Sequence, residues 1–319
     1  MVRENWNTPL LRHLHDKYGF RYRYMGFPGT DLTDIKLWKD MIEWVVAFEL
    51  PAPGIDKRLW VKGLRANLRK LGIPGVAYFG SFEQVVTLRE DFDGQIYGQD
   101  RVITLYNLDF CDEISSEVET RELGKKLLRF EALRFILQDQ KTCYVSVDGP
   151  THFIMLLTVR NQTEANRING FLKRNLFSET DAYCSICREI KPIPSGGLLI
   201  GSHAWALKAF IYNSLKGYFG TPNISALFFP FVKYKGTPIK LASGKILPSP
   251  MLHWMILCKF EKPEKPSPVF LPNDFLDQVS SLAADMSGIT IQPEPGEASN
   301  SGKVISSIEW FEKFEKTFF

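Results

Sequence analysis

Residues 20–50 read FRYRYMGFPGTDLTDIKLWKDMIEWVVAFEL and decide the fold. Residues 20–25 are rich in aromatic side chains whose faces alternate, which predicts a β-strand. The Gly-Phe-Pro-Gly turn at 26–29 ends that strand sharply. From residue 32 to about 41, apolar side chains recur at steps of three and four, which predicts a helix that packs on a sheet. The order is therefore strand, tight glycine turn and helix.

The second half of the stretch completes the unit. Thr30, Asp31 and Thr33 are residue types that cap helix N-termini. Residues 45–48 are Val-Val-Ala-Phe, a short apolar run typical of a buried parallel strand, and Glu49 closes it. Together these features predict the first half of a nucleotide-binding βαβ unit.

The spacing within this unit indicates a ligand. A glycine turn that leads into a helix lets a ligand approach the backbone, and an acidic residue about 20 positions later can accept hydrogen bonds from ribose hydroxyls. Glu49 lies 23 residues after Gly26 and fits that spacing. The alternative is a turn whose glycines serve backbone geometry alone, with Glu49 as a solvated strand end.

Composition places the chain among ordinary globular proteins. It has 319 residues, of which 45% are hydrophobic and 24% charged, enough to bury a sizeable core. The net charge of +3 is too small to argue for nucleic acid by itself. No apolar run has the length of a membrane span, and the first residues contain no apolar signal-peptide segment. We therefore expect a cytoplasmic protein without a membrane partner.

The cysteines argue against a disulfide framework because they are five in number and scattered. Cys184 and Cys187 alone have the spacing of metal ligands. A tetrahedral zinc site needs a second pair or histidines at a familiar distance, and none follows, so no metal site is predicted. The pair is interpreted as reduced structural thiols, and a thioredoxin-like redox role stays open.

Strands and helices alternate along the rest of the chain. Strands are predicted at 75–79, 101–106 and 151–159, with a further short strand or extended segment at 143–147. Helices are predicted at 9–18, 56–71, 120–140, 163–176 and 203–219. Two long β runs follow at 223–234 and 251–260. This order predicts an α/β fold: a doubly wound, mostly parallel seven-stranded sheet with a C-terminal antiparallel hairpin.

The helix at 56–71 has a basic polar side. Its apolar stripe is Leu59, Trp60, Leu64, Leu68 and Leu71, and six basic residues lie between 57 and 70. A solvated face is the simpler interpretation, and a phosphate-binding ridge for nucleic acid is the alternative.

The chain resembles the class I S-adenosylmethionine-dependent methyltransferases. The resemblance covers residues 10–262 and is carried by the βα alternation, the turn at 26–29, the acid at the end of the second strand, the Asn-Leu-Asp block at 107–109 and the terminal hairpin. The Gly-Phe-Pro-Gly-Thr turn is also loosely similar to that of bacterial three-Cys-motif partner proteins. The resemblance implies a Rossmann-like methyltransferase fold with S-adenosylmethionine as cofactor.

The resemblance also implies residue roles. Gly26, Phe27 and Gly29 would line the methionine moiety, and Glu49 would bind the ribose. The adenine would contact Ser81 and Phe82. Asn107 and Asp109 would lie on the substrate side as candidate catalytic residues, with Asp109 orienting or deprotonating the methyl acceptor. Asp31 joins the candidate cofactor-binding residues because it follows the glycine turn.

Three functions remain open at this point. The first is a methyltransferase that acts on nucleic acid, protein or a small molecule. The second is a catalytically silent methyltransferase-like module that binds nucleotide or nucleic acid within a larger complex. The third is another Rossmann-type enzyme such as an oxidoreductase, and the terminal hairpin speaks against it.

The chain divides into residues 1–262, the Rossmann-like unit, and 263–319, a linker followed by docking helices. Residues 261–268 are rich in proline and charge and predict a stiff linker, while 292–302 have the composition of a disordered segment. Residues 305–319 predict a helix whose apolar stripe is Ile308, Phe311, Phe314 and Phe318. This helix docks either on its own domain or on a protein partner.

Overall fold

The computed structural model describes residues 2–49, 57–110, 117–119, 126–146, 150–160, 222, 224–229, 232–240, 244, 246–261 and 306–319. The helices predicted at 163–176 and 203–219 lie outside this part of the chain. So do Cys111, Cys184 and Cys187, together with residues 262–305, so the division of the chain at 262 stays a prediction.

From residue 8 to residue 109, helices and strands alternate along the chain. The strands are β1 (Tyr22–Gly26), β2 (Ile42–Glu49), β3 (Gly75–Phe79), β4 (Leu105–Asp109), β5 (Glu117–Glu119), β6 (Lys126–Leu128), β7 (His152–Arg160), β8 (Ile224–Phe228), β9 (Val232–Lys240) and β10 (Ile246–Phe260). The helices are α1 (Thr8–Tyr18), α2 (Thr33–Leu37), α3 (Lys57–Leu71), α4 (Phe82–Leu88), α5 (Arg129–Ser146), α6 (Ser307–Glu312) and α7 (Glu315–Phe318), and a π-helix (Arg3–Asn7) precedes α1.

The main sheet confirms the predicted fold class. Its strand order is β3-β2-β1-β4-β7-β10-β8, and β9 pairs with β10 beside β8. The first five strands in this order are parallel to one another. β10, the last strand in the chain, runs antiparallel to β7, β8 and β9 and is therefore the reversed strand of the sheet.

Two hydrophobic cores cover the two faces of this sheet. On one face, α4 and α5 pack through side chains such as Val85 and Ile136. On the other face, α1, α2, α3 and α6 contribute Leu14, Ile35 and Phe311, among others. Neighbouring residues of a strand, such as Val45 and Val46, belong to opposite cores, because successive side chains of a strand point to opposite faces of the sheet. The sheet is therefore doubly wound.

The first helix after the glycine turn is shorter than predicted. Gly29 and Leu32 both have positive φ angles, 65° and 55°, so the chain still turns where the sequence predicted a helix start. Leu32 occupies the N-cap position without a side-chain hydrogen bond, and the predicted caps are wrong: Thr33 Oγ1 donates to Asp31 instead. The helix ends at Leu37, before the buried ring of Trp38.

The fourth strand begins later than predicted. Residues 101–104 carry an apolar pattern, but they lie outside β4. The Gln140 side chain accepts a hydrogen bond from the Ile103 backbone N–H and donates to the Ile103 carbonyl. A side chain thus satisfies backbone groups that a strand partner would otherwise pair, and β4 starts at Leu105.

The long helix predicted at 120–140 is also displaced. Residues 117–119 and 126–128 form a two-stranded antiparallel sheet in which Val118 pairs with Leu127. Helix α5 starts only at Arg129 and continues to Ser146, so the predicted strand at 143–147 is wrong. Leucine spacing alone did not distinguish these strands from a helix.

The C-terminal segment packs on the chain's own core. Phe311 is fully buried, and Lys17 of α1 donates to both Glu315 carboxylate oxygens at 2.8 Å. Ser307 Oγ donates to the Trp6 carbonyl at 2.7 Å. Phe314 is 38% exposed, so it is wrong as a member of the apolar stripe. Leu59 of α3, at 65% exposure, is wrong for the same reason.

Candidate functional site

The predicted site residues gather where the parallel strands end, which we call the carboxyl edge. The registers pair Gly26 with Asn107, Glu49 with Phe79 and Asp109 with Thr158. In open α/β sheets, ligands bind outside the carboxyl ends of the strands. The edge thus brings together the ends of β1, β2, β3, β4 and β7.

Gly26 is required by close packing between strands. A Cβ atom at this position would lie 2.1 Å from the Asn107 carbonyl oxygen and 2.9 Å from Tyr24 Oη. No side chain fits into this space, so the glycine has a structural reason independent of a ligand. Gly29 differs because its φ of 65° is the left-handed region that favours glycine.

Two carboxylates of the predicted cofactor site influence each other. Glu49 is half-buried at the end of β2, and burial raises the pKa of its carboxyl group. The charge of Asp31, two residues after the glycine turn, adds to this increase. The register pairs Gly26 with Ala47, two residues before Glu49, so the turn and Glu49 lie at the same edge. The hydroxyl group of Thr33 lowers the pKa of the exposed Asp31.

Aromatic rings occupy the edge between β1, α4 and β4. The ring centroids of Phe27 and Phe82 are 5.6 Å apart, those of Phe27 and Phe110 are 5.3 Å apart, and those of Phe82 and Phe110 are 5.9 Å apart. The Arg129 guanidinium lies 4.9 Å above the Phe110 ring and donates to Glu83 at 2.6 Å. We call Phe27, Phe82 and Phe110 the aromatic triad.

Ser81 has a local role at the same edge. Its hydroxyl oxygen accepts a hydrogen bond from the Gln84 backbone N–H at 3.1 Å and thereby caps α4. The side chain is buried, with 5% exposure of the residue. Ser81 therefore has a structural function, and the adenine contact that the resemblance implies stays a prediction.

Asn107 belongs to a buried polar cluster. Its side-chain amide donates to Asp34 at 2.6 Å and to Tyr24 Oη at 3.3 Å. Arg3, from the π-helix, forms an ion pair with Asp34. Both amide hydrogens are thus committed, and the orientation of Asn107 is fixed by its neighbours.

Burial dominates the protonation of the carboxylates in this cluster. It raises the pKa of Asp34 to about 6, although Arg3 and the Asn107 amide act in the opposite direction. Burial likewise raises the pKa of Asp109, and Arg3 opposes that increase. A carboxylate with a raised pKa is a stronger base, which suits a group that accepts a proton.

Sequence reasoning missed Asp34, Arg3, Tyr24 and Phe110. Asp34 lies within the decisive stretch, but the apolar periodicity there predicts only that it belongs to a helix. Phe110 directly follows the block at 107–109. Its position was a usable signal, because residues just past a parallel strand line the site. Arg3 is distant in sequence and carries no local signal.

The basic face of α3 is smaller than predicted. Arg65 donates to the Ala77 carbonyl at 2.7 Å and 2.9 Å and to Gln95 at 3.0 Å, so its guanidinium serves the fold. Lys62, Arg69 and Lys70 are exposed. The nucleic-acid role of this helix stays a prediction.

Two features are absent from the described residues. No group of three histidine, cysteine or acidic side chains there is arranged to hold a metal ion. No helix in the same part of the chain combines the length and apolarity needed to cross a membrane.

Comparison with known proteins gives partial likenesses. No family model matches the chain, and no curated protein does. Among solved structures, the YcgJ protein from Bacillus subtilis is 7% identical, with 80% of this chain and 99% of that chain covered and a TM-score of 0.38. An SAM-dependent methyltransferase from Agrobacterium tumefaciens is 10% identical, with 80% and 60% covered and a TM-score of 0.35. Such low scores carry no argument about function.

The sheet itself supports a conclusion about the fold. Five parallel strands, helices on both faces and a reversed C-terminal strand are the arrangement expected from the resemblance. The described part of the chain has a doubly wound, Rossmann-like α/β fold.

Proposed function

We propose that this protein binds S-adenosylmethionine at the carboxyl edge and is a methyltransferase. The observation that carries the proposal is the position of Glu49 at the end of β2, at the same edge of the sheet as the glycine turn, since Ala47 of β2 pairs with Gly26, where the turn begins. A carboxylate at this point can accept hydrogen bonds from two ribose hydroxyls. The exposed Asp31 supplies a second negative charge for a cationic ligand.

The residues of the edge fit an adenosyl group in their chemistry. Glu49 and Asp31 suit hydroxyl and ammonium groups, and the aromatic triad suits a flat base. The triad rings touch one another directly, so a base requires the half-buried Phe27 to turn aside. We infer that Phe27 makes this movement, because it is the most exposed of the three rings.

The cofactor would supply a methyl group activated on a positively charged sulfur. The protein's own contribution is to position the acceptor and exclude water. Asp109, whose pKa burial raises, would take a proton from a nitrogen or oxygen acceptor. Asp34 fixes the amide of Asn107 beside it.

Titration calorimetry with S-adenosylmethionine tests the proposal. We expect binding in the micromolar range, and we expect Glu49→Gln to weaken it by about tenfold because a charged hydrogen-bond acceptor is lost. Glu43→Gln is the matched control: Glu43 lies at the other end of β2, paired with Arg23, and its loss should leave binding unchanged. No heat at millimolar ligand, or equal effects of the two substitutions, would contradict the proposal.

A second candidate is the catalytically silent module. This candidate is favoured because several polar groups at the edge already form hydrogen bonds within the protein. The Ser81 hydroxyl caps α4, and both amide hydrogens of Asn107 have partners. In that case the ligand binds but its methyl group is not transferred. Incubation with methyl-labelled cofactor and pools of RNA, protein and small amines separates the two, because label in any pool supports the enzyme.

The exposed cations of α3 make nucleic acid the acceptor to test first. Lys62, Arg69 and Lys70 would contact phosphates, so binding should weaken steeply as salt rises. Replacing all three by glutamine should remove that salt dependence. Unchanged RNA binding in the triple variant would assign the contact to another surface.

A further inference from the structure

A hydrogen bond joins helix α3 to the segment that follows the glycine turn. The Asn67 side-chain amide donates to the Thr30 carbonyl oxygen at 2.8 Å, between residues that lie 37 positions apart in the chain. This carbonyl accepts no other hydrogen bond among the described residues. Asn67 therefore ties the backbone of the segment to a helix that packs on the sheet.

Helix α3 is a firm support for this bond. Leu64 is fully buried and Leu68 is nearly so, both in the core on this face of the sheet. Arg65 donates to the Ala77 carbonyl of β3 at 2.7 Å and 2.9 Å. Asn67 lies among these three residues in sequence, so its side chain extends from a backbone that is fixed to the sheet.

The segment that Asn67 holds has an unfavourable backbone conformation. Gly29 and Leu32, on either side of Thr30 and Asp31, have positive φ angles of 65° and 55°. A leucine in the left-handed region costs free energy, and such a residue persists only where its surroundings impose the conformation. The fully buried Leu32 side chain holds one end of the segment, and the Asn67 bond holds its middle.

The same bond orients Asp31. A peptide unit is planar, so the Thr30 carbonyl and the Asp31 N–H point in opposite directions from one rigid plane. Asn67 fixes that plane, and the Thr33 hydroxyl donates to Asp31 Oδ2 at 2.6 Å. The exposed Asp31 is thus held at its backbone and at its carboxylate. A group that is ordered before binding lowers the entropic cost of taking up a ligand.

We propose that Asn67 is a positioning residue of the cofactor site and keeps residues 29–33 in the conformation that receives S-adenosylmethionine. This inference rests on the proposed function, in which Asp31 faces the cofactor. Asn67 acts through the Thr30 carbonyl and needs no contact with the cofactor. If its loss leaves the segment in the competent conformation for only part of the time, the apparent dissociation constant rises by the inverse of that fraction.

Hydrogen exchange measured by mass spectrometry tests the proposal without any ligand. In Asn67→Ala we expect the peptide that contains residues 29–33 to exchange at least about threefold faster, because the segment has lost one hydrogen bond. Ala66→Asp is the matched control, since Ala66 is exposed and directly precedes Asn67 on α3. Its exchange over 29–33 should equal that of the wild type. Equal exchange in Asn67→Ala and the wild type would overturn the proposal.

Titration calorimetry with S-adenosylmethionine tests the consequence for the cofactor. We expect Asn67→Ala to bind about three- to tenfold more weakly than the wild type and Ala66→Asp to bind equally well. If the wild type binds and Asn67→Ala binds as tightly, the role of Asn67 is wrong and the proposed function stands. No binding by the wild type would instead refute the proposed function, even where hydrogen exchange shows that Asn67 holds the segment.

The Asn67→Asp variant separates the hydrogen bond from the packing of the side chain. The new carboxyl group has nearly the same shape, but it can donate to the Thr30 carbonyl only when protonated. That carbonyl and the charge of Asp31 both favour the protonated form. We expect binding about tenfold weaker than in the wild type at about pH 7.5, and a difference below about threefold at about pH 5.

The readout is the ratio of the two dissociation constants at each pH, because Asp31 and Glu49 titrate in both proteins. A side chain that serves packing alone gives a ratio that does not change with pH. A constant ratio would therefore overturn the proposal.

Discussion

At the scale of single residues, Gly26 shows how packing and ligand binding can demand the same amino acid. The Gly26→Ala variant would place a Cβ atom against the Asn107 carbonyl oxygen, at 2.1 Å. Because the obstacle is backbone of the neighbouring strand, we expect a loss of about 3 kcal/mol in the free energy of unfolding, measured by urea denaturation.

Gly63 provides the control for that substitution. It lies within α3, and a Cβ atom there would meet nothing within 4 Å. Gly63→Ala should therefore stabilise the protein, by about 0.5–1 kcal/mol, because alanine is the better helix former. Equal effects of the two substitutions would show that the contact between β1 and β4 is not the reason for glycine at position 26.

His152 gives a residue-scale prediction about pH. Burial and the charge of Lys259 lower its pKa to about 4, whereas an unfolded histidine titrates near 6.5. Between these values the unfolded chain binds a proton that the folded chain does not, so stability falls as the pH drops from about 6.5 to about 4.

The His152→Gln variant isolates this contribution. Because His152 is only half-buried, we expect the loss of unfolding free energy between pH 6.5 and 4 to be smaller in the variant by about 1–2 kcal/mol. Urea unfolding at several pH values measures the slope. The buried His253, whose pKa is lowered to about 3, contributes a decline of the same sign in both proteins. Parallel slopes would contradict the assignment to His152.

At the scale of elements, the C-terminal helices are part of the core on the α1 face. Phe311→Ala removes a fully buried ring and should lower the free energy of unfolding by about 3–5 kcal/mol. Phe314 lies three residues later and is 38% exposed, so Phe314→Ala should lower the free energy of unfolding by less than about 1 kcal/mol. Urea denaturation compares the two, and similar costs would mean that the segment does not dock as described.

Elements were predictable where local pattern and tertiary pairing agree. The apolar runs of β2, β3 and β7 were recognised because buried parallel strands are apolar on both faces. The start of β4 was not recognised, because hydrogen bonds from the Gln140 side chain to Ile103 determine it. The pair β5–β6 was not recognised either, because it depends on the pairing of Val118 with Leu127. Neither contact is visible in a local window of sequence.

At the scale of the whole molecule, the alternation of elements was enough to predict a doubly wound sheet with a reversed C-terminal strand. The candidate site was predictable only in part. Glu49 and the turn at 26–29 follow from strand ends, but Arg3 reaches Asp34 from 31 residues away through the π-helix. The ring contacts of Phe27 likewise depend on three separate elements.

The central claim is that the carboxyl edge binds an adenosyl group, and a crystal structure with S-adenosylhomocysteine tests it most directly. The account predicts the ribose hydroxyls within hydrogen-bond distance of Glu49, the adenine beside Phe82 and Phe110, and the Phe27 ring turned away from both. A ligand bound elsewhere, or an aromatic triad still closed at saturating ligand with nothing bound to Glu49, would contradict it.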